Sequence, residues 1–152
     1  MAKILIVDDE ADMRTVLFHT LRAAGHTVTE AADGETALKK LKRTRFDLVV
    51  LDIMMPKMSG YEVLDKMRAM PAKAQAPVIV VTAKHEPSGL KREVAAGAAD
   101  HIAKPFLPSE LEAAVERVLT SHRDDVVERR GKLADAAEIY DAMGELRRGI
   151  DE

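Results

Sequence analysis

The 152-residue chain contains no cysteine, which excludes disulfides, thiol nucleophiles and Cys-based zinc sites and suits a reducing, cytoplasmic setting. It also lacks an apolar run long enough to cross a bilayer. Leu48 to Leu51 and Val78 to Val81 are strand-sized, and Ile4 to Val7 is too short for the core of a secretory signal. The expectation is a soluble protein with no membrane partner. Excess charge is missing too: 23 Lys and Arg stand against 26 Asp and Glu, a net charge of -3. There is no global pull toward nucleic acid or anionic lipid. Residues 122 to 152 hold 6 Lys/Arg and 9 Asp/Glu and so carry the whole imbalance, while residues 1 to 121 balance at 17 against 17. The chain therefore divides into a neutral domain, 1 to 121, and a charged extension, 122 to 152.

What the domain does contain is an alternation. Short β-branched runs recur at Ile4 to Val7, Thr27 to Ala31, Leu48 to Leu51, Val78 to Val81 and around Ile102, and helical periodicity fills the gaps. Such a pattern predicts an α/β fold, a doubly wound parallel sheet with helices on both faces. The first helix is expected from Ala11 to Ala24, with Val16, Leu17 and Leu21 inward and Gly25 ending it. Leu38 and Leu41 mark a second helix, and Val63, Leu64 and Met67 a third. A fourth is expected between Ser88 and Ala96, and a last one from Pro108, with Leu111, Val115, Val118 and Leu119 on one face. Beyond Gly131 the positions Leu133, Ala137, Tyr140, Met143, Leu146 and Ile150 are spaced three and four apart, which suits one more amphipathic helix. That helix could fold back on its own domain, pair with a second copy or bind another protein.

In an open parallel sheet, ligands bind beyond the carboxyl ends of the strands. Asp8 and Asp9 follow the first predicted strand, Asp52 ends the third, Thr82 ends the fourth, and Lys104 follows the fifth. A single strand-end Asp is commonly a turn or capping residue. Three carboxylates converging on one crevice are different, because they repel each other unless a cation sits among them. Mg2+ suits such oxygen ligands and usually binds through a few carboxylates together with a phosphate. An aspartate can act as a nucleophile toward phosphorus, and phosphoryl transfer then demands mainly positioning and charge neutralisation, which a metal and Lys104 can supply.

The segments Ile4-Leu5-Ile6-Val7-Asp8-Asp9-Glu10, Leu51-Asp52-Ile53-Met54-Met55-Pro56 with Gly60, Val81-Thr82-Ala83 and Ala103-Lys104-Pro105-Phe106 together resemble the CheY-like receiver family of response regulators over residues 3 to 121. The resemblance implies a flavodoxin-like sheet of order 2-1-3-4-5. Its functional implication is a two-component or phosphorelay response regulator, phosphorylated on Asp52 by a sensor histidine kinase or a histidine phosphotransfer protein. By the same resemblance, Asp8, Asp9, Asp52 and the Met54 carbonyl are the ligands for Mg2+, with Mn2+ as a substitute. Lys104, the Thr82 hydroxyl and the Ala83 amide would contact the phosphoryl oxygens. The Lys104-Pro105 peptide would be cis, and the domain would catalyse its own phosphorylation and dephosphorylation without being an enzyme in the ordinary sense.

There are departures. The family usually carries Tyr or Phe three residues before the lysine, as a switch partner to the threonine; here His101 stands there. Ala99 and Ala114 occupy positions where paired relatives carry an Asp and an Arg, which weighs against pairing of that kind. Met54 and Lys84 flank the mouth of the pocket, and Glu10 suits the first turn of the first helix. Competing functions fare worse. A dinucleotide-binding enzyme needs a Gly-rich turn where this chain has Asp8-Asp9-Glu10, and a haloacid-dehalogenase-type phosphatase needs a second Asp where Met54 stands. Residues 122 to 152 are too few and too acidic for a helix-turn-helix module, so direct nucleic-acid binding is not expected. Two alternatives remain: a scaffold independent of phosphorylation, and a transcription regulator acting through a partner.

Overall fold

A computed structural model of the chain describes residues 1–71, 75–83 and 97–121. The elements run β1 (Lys3–Val7), α1 (Ala11–Ala23), β2 (Thr27–Ala31), α2 (Gly34–Arg43), β3 (Leu48–Asp52), α3 (Gly60–Arg68), β4 (Val78–Ala83) and β5 (Asp100–Lys104), followed by a helix described over 108–121, here α4. The five strands form one parallel sheet in the order β2-β1-β3-β4-β5. The expected fourth helix, Ser88 to Ala96, and the extension at 122–152 lie outside the described residues.

The period-2 alternation of the strands sorts their side chains into two cores. Leu5, Val7, Val49, Leu51 and Val80 face α2 and α3, packing on Leu38, Leu41, Val63, Leu64 and Met67. Ile4, Ile6, Leu48, Val50, Ile79, Val81 and Ile102 face α1 and α4, packing on Leu17, Leu21, Leu111, Val115 and Val118. Each fully buried Leu or Ile contributes about 1.5–3 kcal/mol. Both faces of the central strands are apolar for this reason, and β3 is buried at every residue.

Local signals start and stop the helices where the fold needs them. Asp33 caps α2 by accepting from the Thr36 amide, and Ser59 with Glu62 forms a capping box on α3. Gly25, at φ 95°, ends α1, with its amide donating to the Arg22 carbonyl and the His26 amide to that of Leu21. Val16 departs from expectation, since it is 47 % exposed. The buried stripe of α1 follows Leu17 and Leu21, flanked by Met13 and Phe18, and Val16 stands about 100° round the helix from Leu17.

Candidate functional site at the carboxyl ends of the strands

Buried β1 and β3 end side by side, Val7 being paired with Leu51, so the first polar residues beyond their apolar runs emerge together. Asp8 is 1 % exposed and Asp52 3 %. β5 delivers Lys104 from the far side of β4, where Ala83 pairs with Lys104 and buried Thr82 with Ala103. The Lys104 Nζ lies 3.3 Å from Asp8 Oδ2, 3.5 Å from Asp52 Oδ2 and 3.7 Å from Glu10 Oε1. The Lys104-Pro105 peptide is cis, as expected. Gly60 permits the crowding beneath Asp52. A Cβ there would lie 2.5 Å from the Asp52 carbonyl oxygen and 2.7 Å from Ile53 Cα, and the Gly60 amide donates to the Ile53 carbonyl at 2.9 Å.

Both Asp52 carboxylate oxygens are engaged: Oδ1 accepts from the Met54 amide at 3.1 Å, and Oδ2 faces Lys104. Burial and the neighbouring Asp8 nevertheless push its pKa up to about 6, against the opposing pull of Lys104 and the Met54 amide, with Asp9 adding to the rise. The Lys104 pKa is raised as well, which for an amine favours the charged form. Burial alone would lower its pKa, but Asp52, Asp8 and Glu10 outweigh it and hold the ammonium more firmly protonated than usual. Among the described residues, one ammonium is thus shared by carboxylates that outnumber it.

Asp8, Asp9, Glu10 and Asp52 each offer an oxygen, and these atoms all lie within 4.8 Å of one another. A hard divalent cation fits this donor set: all the donors are oxygens, and the crowding that raises the Asp52 pKa is relieved by positive charge. Among the described residues, four carboxylates at -4, Lys104 at +1 and a dication at +2 leave a formal charge of -1.

Asp8, Asp9, Asp52, Met54, Thr82, Ala83 and Lys104 lie at this end of the sheet, whereas His101 pairs with Val80 further back along β5. Asp8, Asp52 and Lys104 touch. Asp9 is exposed and reaches the cluster through its carboxylate. Met54 contributes its backbone, while its side chain is 67 % exposed. His101 sits half-buried on β5, its amide donating to its neighbour Asp100, and Lys84 lies outside the described residues. Asp100 also pairs with Arg117 of α4 at 3.0 Å, so an arginine facing the strand acid is present one turn beyond Ala114. Sequence reasoning missed two participants. Glu10 is the N-cap of α1, makes no side-chain cap bond and turns its carboxylate to Lys104. Arg14 donates to the Asp8 carbonyl at 2.7 Å. A charged side chain in an amphipathic helix offers no signal that its partner is a backbone carbonyl.

The response regulator receiver domain model matches residues 4–116. A probable transcriptional regulator, ycf27 of Porphyridium aerugineum, is 45 % identical over 117 residues, covering 77 % of this chain and 48 % of that protein; the chain spans about half the length of the curated relatives it matches. Chemotaxis protein CheY4 of Vibrio cholerae superimposes with a TM-score of 0.71 at 37 % identity, covering 78 % of this chain and 98 % of that one. The receiver domain of sensor histidine kinase PA1611 from Pseudomonas aeruginosa, solved with a magnesium ion coordinated in its active-site cleft, gives a TM-score of 0.72 at 32 % identity over 78 % of this chain and 98 % of its own. With strand order, crowded carboxylates, lysine and family model all agreeing, this chain belongs to the response regulator receiver domain family.

Proposed function

We propose that this chain is a phosphorylation switch of a two-component or phosphorelay system, in which Asp52 accepts a phosphoryl group from a phosphohistidine on a sensor histidine kinase or phosphotransfer protein. The observation that carries the reading is Lys104 Nζ held 3.3 Å from Asp8 and 3.5 Å from Asp52, both carboxylates being buried. An Asp52 oxygen attacks phosphorus, the P–N bond breaks, and the departing imidazole keeps the electron pair and takes up a proton. Lys104, the Thr82 hydroxyl and the Ala83 amide receive the phosphoryl oxygens. In the return step water attacks phosphorus, the P–O bond to Asp52 breaks, and the carboxylate and inorganic phosphate are restored.

Asp8, Asp9, Asp52 and the Met54 carbonyl hold Mg2+, or Mn2+ in its place. The cation supplies charge neutralisation for the transferring oxygens. Lys104 stays protonated throughout because its carboxylate neighbours favour the charged form. Phosphorylation pulls Lys104 away from Asp8 and Glu10, and the resulting change at Thr82 and His101 alters which protein the domain binds. Signal leaves by protein contact in the cytoplasm, with the segment at 122–152 as a helical extension that docks on the receiver, on a second copy or on the output protein; direct nucleic-acid binding is not part of the proposal.

The test is intact mass after incubation with Mg2+ and a small acyl phosphate. One hydroxylamine-labile phosphoryl adduct is expected on the wild-type protein, absent from Asp52→Asn and from a chelated sample. Persistent absence of an adduct on the wild type, on the shortest accessible timescale, would transfer the assignment to a phosphorylation-independent scaffold.

A further inference from the structure

The chemistry of the crevice does not use Arg14, yet its side chain is only 18 % exposed. It stands one turn into α1 and bridges two strand ends. Its Nη1 donates to the Asp8 carbonyl at 2.7 Å, and its Nε lies 3.3 Å from Glu30 Oε1 on β2. Glu30 is itself held, because its carbonyl accepts from Lys40 Nζ of α2. The remaining polar groups of Asp8 are also occupied: its amide donates to the Ala31 carbonyl, Oδ1 accepts from the Glu10 amide, and Oδ2 faces Lys104. Asp9 follows directly and is exposed, with no hydrogen bond or ion pair of its own among the described residues. Where its carboxylate sits therefore depends on how the peptide joining it to Asp8 is oriented. The Asp8 carbonyl belongs to that peptide, and Arg14 is its side-chain partner.

We infer that Arg14, anchored by Glu30, is a positioning residue for the divalent cation, setting the Asp8-Asp9 peptide so that both carboxylates point into the same crevice. The inference rests on the proposed reading that Asp8 and Asp9 hold the cation. Charge alone argues in the opposite direction. A guanidinium near a dication repels it, so if its field were the main effect, deleting Arg14 would tighten Mg2+ binding. Glu30 cancels much of that field, which leaves geometry as the larger contribution. The guanidinium is suited to the task because its planar fork presents two donors in fixed relation, one to each acceptor; a lysine ammonium can follow one of them but does not fix the pair.

The experiment is calorimetric titration of Mg2+ into the full chain without a phosphoryl donor, for wild type, Arg14→Met, Arg14→Lys, Glu30→Gln, the Arg14→Met/Glu30→Gln double variant and Asp9→Asn. Circular dichroism verifies folding, and melting in chelator separates stability from affinity. Arg14→Met is expected to weaken Mg2+ binding about tenfold, the scale typical of residues that orient metal ligands. Glu30→Gln should weaken it less, the double variant no more than Arg14→Met alone, and Arg14→Lys should recover only part of the loss. Unchanged or tighter Mg2+ binding by folded Arg14→Met overturns the inference, while binding by the wild type that is lost in Asp9→Asn keeps the functional reading intact. Should Arg14→Met not fold, wild-type affinity in both Arg14→Lys and Glu30→Gln overturns it equally. A wild-type protein that binds no Mg2+ overturns both. A purely structural role would lower the melting temperature in chelator without moving the dissociation constant.

Discussion

The two ends of the sheet treat polar groups in opposite ways. At the amino ends they are matched almost one to one: the Ala2 amide donates to buried His26 Nδ1 at 3.1 Å, the Lys3 amide to Asp47 Oδ2 at 2.8 Å, and the Asp47 amide to the Lys3 carbonyl at 2.7 Å. At the carboxyl ends, among the described residues, Asp8, Glu10 and Asp52 share the ammonium of Lys104, and the Asp52 carboxylate is driven toward its neutral form. The same buried strands supply the scaffold for both. Satisfied polar groups hold a structure, whereas an excess of negative charge in a low-dielectric crevice leaves it poised for a cation.

Breaking the carboxyl end sterically has the largest expected effect. Gly60→Ala should destabilise the fold by about 3 kcal/mol, the upper range for overpacking, because its Cβ would meet the Asp52 carbonyl and the Ile53 backbone rather than a movable side-chain tip. Denaturant unfolding measures the loss, and phosphorylation should slow with it. At the amino end, His26→Leu removes the acceptor of the buried Ala2 amide and should cost about 2 kcal/mol. It should leave the rate of phosphorylation by a small acyl phosphate unchanged, and a change in that rate would dissolve the contrast between the two ends. Outside the crevice, Asp33→Ala removes the cap of α2 and should cost about 1 kcal/mol, again without effect on Mg2+ binding.

The pH dependence is expected to be smaller but distinctive in sign. The folded Asp52 pKa, about 6, lies above its ordinary value of 3.8, so folding takes up a proton between these values. In chelator, stability should therefore rise as pH falls through 6 toward 4. Asp52→Asn should remove that part of the slope and stabilise the metal-free protein at neutral pH; an unaltered slope in thermal melts would show that the crowding is borne elsewhere. Saturating Mg2+ should flatten the slope as well, by favouring the carboxylate.

Much of this was legible beforehand. The apolar runs marked the five strands, Leu38 and Leu41 the second helix, Val63, Leu64 and Met67 the third, and Gly25 the end of the first. Asp8, Asp52 and Lys104 could be expected to converge because a parallel sheet brings strand ends together. Val16 misled because a short apolar pair in a helix does not reveal which of its members faces the sheet. Glu10 and Arg14 stayed hidden for another reason. Their partners, Lys104 and the Asp8 carbonyl with Glu30, are defined by crossings between elements.

The sequence by itself determined the alternation of elements, the two-faced apolar core and the identity of the groups that gather at the strand ends, since periodicity and residue chemistry act over a few neighbouring positions. Only the tertiary structure decided how those groups share their charges. Whether Lys104 faces three carboxylates, and whether Arg14 grips a backbone carbonyl or solvent, depends on distances of a few ångströms between segments far apart in the chain, and electrostatic and hydrogen-bond energies change steeply over that range.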